Sequence, residues 1–246
     1  MGGQPGQPVL AAVGVRKQFG ALAALDRVDF AIAPGEAVGI VGPNGAGKTT
    51  LLNVLAGAVR PSAGSVLFAG VDVTSAGVSR RSRLGVARAH QVPRPFGGMS
   101  VFENCFVAAT AGGGLGRRPA YDRCLEVLET CGLAHLANRR ADTLGLPGRK
   151  RLELARALAT GPIVLLLDEI GAGLTEAEAD ELVAMIRQLN ATGIAIVWIE
   201  HIVHILVQVI RRLVCMDYGQ VIADGDPTAV MSDARVIDAY LGGAAA

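Results

Sequence analysis

The stretch Gly42-Pro43-Asn44-Gly45-Ala46-Gly47-Lys48-Thr49-Thr50 separates an apolar run, Ala37 to Val41, from a second apolar run, Leu51 to Ala56, with the spacing of a helix. A glycine-rich segment between a strand and a helix is the context a phosphate-binding loop requires. Phosphate oxygens carry charge that must be met at close range, so consecutive backbone N–H groups have to point inward around a ring that no side chain blocks. Gly42, Gly45 and Gly47 permit that path. A helix starting near Lys48 aims the positive end of its dipole at the same anion, Lys48 adds a whole charge, and the Thr49 hydroxyl reaches a magnesium ion. With 32 glycines a chance match has to be weighed. Against chance, lysine occurs only at Lys17, Lys48 and Lys150, and strand and helix flank the match on the correct sides.

The chain of 246 residues suits one large α/β domain, or a core with an insertion, and is long enough to bury a substantial interior. Its net charge of +1 argues against bulk-charge affinity for nucleic acid. The apolar fraction of 51% raises the question of a membrane span. The most apolar region, Gly193 to Ile210, is interrupted by Glu200, His201, His204 and Gln208, and residues Met1 to Pro8 lack the basic and apolar regions of a signal peptide. The excess is better explained by a parallel sheet covered on both faces together with a partner surface. Cys105, Cys124, Cys131 and Cys215 show no metal-ligand spacing and read as reduced core residues of the cytosol.

Short alternating runs at Ala11 to Val15 and Val28 to Ile32, with Phe19-Gly20 between them, predict antiparallel strands before the core strand Ala37 to Val41. Ser65 to Ala69 reads as one more strand, so the first ninety or so residues look β-rich apart from the helix after Lys48. After Gln91 the pattern changes. Val92 to Gly98 is broken by proline and glycine, Ser100-Val101-Phe102-Glu103 is a capping box opening a helix to about Ala111, and Gly112 to Gly116 with the following arginines predicts a flexible connection to a helix over Tyr121 to Cys131. Residues 92–148 are therefore expected to form an inserted α-helical subdomain. From Arg149 helices and strands alternate again: a helix over Arg151 to Ala159, a strand over Ile163 to Leu167, and a capping box at Thr175 and Glu178 opening a helix to about Asn190. A strand over Ile194 to Ile199, a helix over Val203 to Arg212, two strands near Leu213 to Met216 and Val221 to Ala223, and a helix after Pro227 complete the chain.

Asp168 and Glu169 end an apolar strand, and in an open parallel sheet ligands sit beyond the carboxyl ends of the strands. Asp168 is placed to hold magnesium through water, and Glu169 to accept a proton from an attacking water. His201 follows the next strand directly and emerges at the same edge. His204, three residues on, suggests a metal pair, but no third ligand is evident. Gln91, at the junction with the helical stretch, is a candidate to touch magnesium or water and report occupancy. Phe96, Met99 and Phe102 are candidates either for a groove receiving a helix of a membrane partner or for core.

In this order the motifs resemble the ATP-binding subunits of ABC transporters over nearly the whole chain. They are most similar to the branch that serves branched-chain amino-acid importers, as carried by Ala89 to Phe96, Arg149 to Leu158, Asp168 to Leu174 and Val236 to Gly242. The resemblance implies a single ABC ATPase domain over 1–246, with a P-loop NTPase (RecA-like) core of mainly parallel sheet, an N-terminal antiparallel β subdomain and the helical insertion. It makes Phe19 the aromatic that stacks on adenine, Gly42 to Thr50 the Walker A loop, and Gln91 the Q-loop. Asp168 and Glu169 become Walker B and the catalytic base, and His201 the switch histidine. The cofactors implied are ATP and Mg2+, with Thr49, Gln91 and Asp168 around the metal.

The resemblance also places the signature motif, usually Leu-Ser-Gly-Gly-Gln, on Leu144, Gly145, Leu146, Pro147 and Gly148. Gly145 has no hydroxyl and Pro147 no N–H, although a shift of one residue would let Gly148 substitute. Smaller departures are Ile170, where proline is common, and Thr175, where aspartate is usual. The degenerate signature implies a second, non-identical ATP-binding subunit. The other implied partners are integral membrane permease subunits and, indirectly, a solute-binding protein, with the chain on the cytoplasmic face of the membrane. Import of small hydrophobic solutes is the expected activity. A soluble ABC-type ATPase and a small-molecule kinase on the same core are the competing classes, disfavoured by the single cassette and the switch residues.

Overall fold

The computed structural model describes residues 7–242. In chain order the elements are β1 (Leu10–Phe19), β2 (Leu22–Ile32), β3 (Ala37–Val41), α1 (Lys48–Leu55), β4 (Ala63–Phe68), β5 (Val71–Asp72), α2 (Val78–Leu84) and β6 (Val86–Ala89). The helices α3 (Val101–Val107), α4 (Arg117–Thr130) and α5 (Leu146–Ala159) follow, and then β7 (Val164–Asp168), α6 (Glu176–Ala191), β8 (Ala195–Ile199) and α7 (Val203–Leu206). Last come β9 (Arg212–Asp217), β10 (Gln220–Gly225), α8 (Pro227–Met231) and α9 (Ala234–Gly242).

The strands form two sheets, β2-β1-β4-β5 and β10-β9-β3-β8-β7-β6. The first is antiparallel; in the second, β6, β7, β8, β3 and β9 run parallel and β10 closes one edge antiparallel to β9. Parallel strands need cover on both faces, and the side chains divide accordingly. Leu165, Leu167, Ile196, Trp198, Leu213 and Cys215 face one core, which α3 to α6 complete. Their neighbours Val164, Leu166, Val197, Ile199, Val214 and Met216 face the other, shared with α1 and the antiparallel sheet. Unbroken apolar strands are therefore what this architecture demands, and they account for the hydropathy. Among the described residues no helix is long and apolar enough to cross a membrane.

Both capping boxes form. Ser100 Oγ accepts from Glu103 N at 3.1 Å while Glu103 Oε2 accepts from Ser100 N at 2.7 Å, and Thr175 and Glu178 exchange the same pair of bonds. The four cysteines are buried and unpaired.

Several local expectations need correction. The helix from Val203 ends at Leu206, because Arg212 is drawn into a strand beside Val38 and its guanidinium donates to Asp224 and Glu36. The glycine-rich stretch after α3 is packed at its start, where Ala108–Gly112 winds into a π-helical turn and a Cβ on Gly113 would lie 2.8 Å from Thr160 O, while Gly114 and Gly116 are exposed. Arg117 and Arg118 already belong to α4. The early part of the chain also holds α2, unseen in the sequence. Its Arg81 is 1% exposed and donates to Val54 O at 2.5 Å and Leu55 O at 2.7 Å, capping the carboxyl end of α1.

Candidate active site

Four neighbouring parallel strands deliver the candidate residues to one edge. The glycine-rich loop leaves β3, Asp168 ends β7, His201 follows β8, and Gln91 lies two residues beyond β6. In the loop, Gly42 (φ 145) and Gly47 (φ 98) adopt backbone that side chains resist, and a Cβ on Gly42 would lie 2.0 Å from Met216 O. Gly47 is also the N-cap of α1, so the free N–H groups of the first turn open toward the loop.

Lys48 is 6% exposed and donates from Nζ to Gly42 O at 2.6 Å and Pro43 O at 2.8 Å. Burial holds its pKa below the ordinary lysine value, opposed by the charges of Glu169 and Asp168. The ammonium thus lies folded over the loop that is to receive an anion. Thr49 Oγ1 is 3.4 Å from Asp168 Oδ1, which brings a hydroxyl and a carboxylate oxygen to one point. Such hard oxygen donors suit Mg2+, which prefers one or two carboxylates together with substrate phosphate and water. No cluster of three or more His, Cys, Asp or Glu with metal-binding arrangement exists among the described residues.

Asp168 is fixed from behind by Arg88 on the adjacent strand, whose Nη2 is 2.5 Å from Asp168 Oδ2. Arg88 also donates to Asn53 on α1, so one guanidinium ties three elements together. Glu169 sits in left-handed backbone at φ 47, and its N–H donates to Ile199 O at 2.9 Å. Its carboxylate lies between two other candidates: Gln91 Nε2 donates to Oε2 at 2.5 Å, and His201 Nε2 is 3.0 Å from Oε1. A cavity of about 370 Å³ runs from Phe19 and Leu22 past Asn44 to Thr50 and reaches Glu169, with Tyr218 on its rim. Phe19 is half exposed there, with Lys17 Nζ 4.8 Å from its ring centroid.

The stretch Leu144 to Gly148 lies elsewhere and contributes nothing to the described lining of that cavity. Gly145 is the N-cap of α5 and Pro147 falls in its first turn, where a missing N–H leaves no helical bond unmade. Phe102 is partly buried against the helical core beside Phe106 and the half-exposed Tyr121, whereas Phe96 and Met99 are 46% and 38% exposed. Arg88, Lys150, Glu200 and Tyr218 all border the site or support it, and sequence reading singled out none of them. Arg88 carried the clearest signal, a lone charge among Val86, Ala87 and Ala89.

A family model described as ABC transporter matches residues 25–172, which include both the loop and the acidic pair. This chain belongs to the ABC transporter family. A second model, described as branched-chain amino acid ATP-binding cassette transporter, matches residues 220–246 of the cassette. The high-affinity branched-chain amino acid transport ATP-binding protein LivG of Escherichia coli (strain K12) is 36% identical over 251 residues, covering 96% of this chain and 98% of its own length. The corresponding protein BraF of Pseudomonas aeruginosa is 34% identical over the same shares. Among solved structures, a nucleotide-free ATP-binding cassette from an ABC transporter superposes with a TM-score of 0.86 at 30% identity, covering 95% of this chain and 98% of that one. The ADP conformation of an ABC transporter cassette gives the same score and identity, with coverages of 96% and 99%. The cassette described here is thus a nucleotide-binding ATPase subunit built on the P-loop NTPase fold.

Proposed function

We propose that this ABC cassette hydrolyses ATP, with Mg2+, on the cytoplasmic face of a membrane to drive import of small hydrophobic solutes, branched-chain amino acids or close relatives of them. One observation carries the catalytic part: the Glu169 carboxylate is spanned by Gln91 and His201 at the edge where the glycine-rich loop ends. The solute class rests on what LivG and BraF are described as transporting and on the match at residues 220–246.

In this reading Phe19 stacks on adenine, and the loop amides with Lys48 hold the phosphates. Thr49 and Asp168 would hold the metal ion, which would supply neutralisation of the phosphate charge. Gln91 and His201 fix the orientation of Glu169. Glu169 takes a proton from water as its oxygen bonds to the γ-phosphorus, and the bond to the bridging oxygen breaks with its electrons leaving on ADP. The chemistry is mainly positioning and electrostatics.

The partners proposed are a permease and a second ATP-binding subunit that is not a copy of this one, since Gly145 and Pro147 remove a hydroxyl and an N–H from the signature. Affinity capture from native membranes tests the reading: a permease and a distinct cassette should co-purify, and the permease should raise ATPase activity. Capture of neither, with activity indifferent to membranes, sinks the transport role. Rebuilding the signature with Gly145→Ser, Leu146→Gly, Pro147→Gly and Gly148→Gln should raise hydrolysis by the complex, and unchanged hydrolysis removes the argument for unequal sites.

A further inference from the structure

Helix α5 grips both loops that meet at Glu169. On the Gln91 side, Glu153 Oε1 is 3.0 Å from His90 Nδ1, and Arg156 Nη1 donates to Glu153 Oε2 and to Arg94 O, each at 2.9 Å. On the Glu169 side, Lys150 Nζ donates to Ile170 O at 2.9 Å and also to Ala172 O. The amide between those carbonyls is held from the opposite direction, since Glu200 Oε1 accepts from Gly171 N at 2.6 Å. Glu200 also accepts from Trp198 Nε1 at 3.3 Å. Lys150 and Glu200 are 7% and 2% exposed. A Cβ on Gly171 would lie 2.9 Å from Glu200 Oε1, so a larger residue there would push that carboxylate aside.

This clamp begins one residue after Glu169, whose left-handed backbone does not hold itself. Burying an ammonium is costly, and here its hydrogen bonds go to two carbonyls of a short turn rather than directly to a carboxylate. Packing alone does not require a charge at that position. We propose that Lys150 is a positioning residue that ties the start of α5, and with it Gly145 to Gly148, to the alignment of the Glu169 carboxylate through Ile170 and Ala172. The inference rests on the reading of Glu169 as the base. It makes the docking of α5 a condition for turnover rather than for nucleotide capture.

The test uses the full chain, with ATP as the probe. Lys150→Met keeps the apolar stem and removes the donors. It should lower kcat about tenfold to a hundredfold, the scale of a misplaced catalytic group, while KM stays within about twofold and the melting temperature falls by a few degrees, because two carbonyls lose their donor. In a Glu169→Gln background, read by single-turnover hydrolysis of labelled ATP, Lys150→Met should cause no further loss, because its effect passes through the group already removed. Should Lys150→Met not fold, Lys150→Gln, with a neutral donor on a shorter stem, carries the same expectation. A kcat within about twofold of wild type, a loss confined to KM, or an equal loss in both backgrounds overturns the proposal. If Glu169→Gln turns over normally, the base reading fails and this route fails with it. If Glu169→Gln is inactive while Lys150→Met is normal, only the role of Lys150 is lost.

Discussion

Arg88 meets Asp168 across the β6–β7 ladder, Nη2 to Oδ2 at 2.5 Å, with the two side chains 9% and 5% exposed. Removing one partner of a buried pair strands the other charge, which costs about 3 kcal/mol or more. Arg88→Met should therefore lower the melting temperature by about 6 to 12 °C, as calorimetry would read. An unchanged melting temperature would show that Asp168 finds other support.

Glu169→Gln keeps the size and one acceptor of the side chain but cannot take a proton. Turnover should drop by about a hundredfold or more, while ATP affinity by calorimetry stays near wild type. Near-normal hydrolysis removes Glu169 from the role of base.

Lys48→Ala deletes the buried ammonium at the loop. Charge-assisted bonds of that kind contribute about 1.5 to 3 kcal/mol, so ATP should bind about ten- to a hundredfold more weakly. Undiminished affinity would place the phosphates somewhere other than this loop.

Glu200 yields a prediction about pH. Burial raises its carboxyl above the ordinary 4.5, despite the bonds from Gly171 and Trp198. Between 4.5 and that raised value the native state binds more protons than the unfolded chain, so this group makes stability fall as pH rises through the window. Glu200→Gln preserves an acceptor for Gly171 and removes the titration. In urea melts from pH 4.5 to 8 its stability relative to wild type should increase with pH and then level off; a constant difference would mean that the group does not titrate there.

The cysteines should be inert in the native protein. Burial pushes Cys131 up to about 12 and Cys124 and Cys215 up to about 11, and raises Cys105 as well. An aromatic disulfide reagent at pH 8 should titrate the four thiols only after denaturant is added. Fast reaction of any one in buffer would reveal local opening at that helix or strand.

What the sequence made legible was whatever depends on neighbours along the chain. The glycine-rich loop, the two capping boxes, the strand β8 and the apolar run of β7 before Asp168 each state their geometry within a few residues. The candidate residues at strand ends could be grouped because one sheet carries them to one edge. What stayed hidden depends on distant partners. Helix α2 reads as a polar, arginine-rich segment until α1 supplies the carbonyls that bury Arg81. Lys150 looks like a surface charge until the turn after Glu169 folds over it. The helix drawn through Arg212 failed for the same reason, since its pairing partner Val38 lies far away in sequence.

Glu169 occupies left-handed backbone, at φ 47, that glycine or asparagine would adopt more comfortably. A library randomised at this codon and screened for heat resistance alone should enrich those two residues. The hardiest survivors would then be the poorest motors, so any campaign to toughen this cassette has to select for work done as well as for endurance.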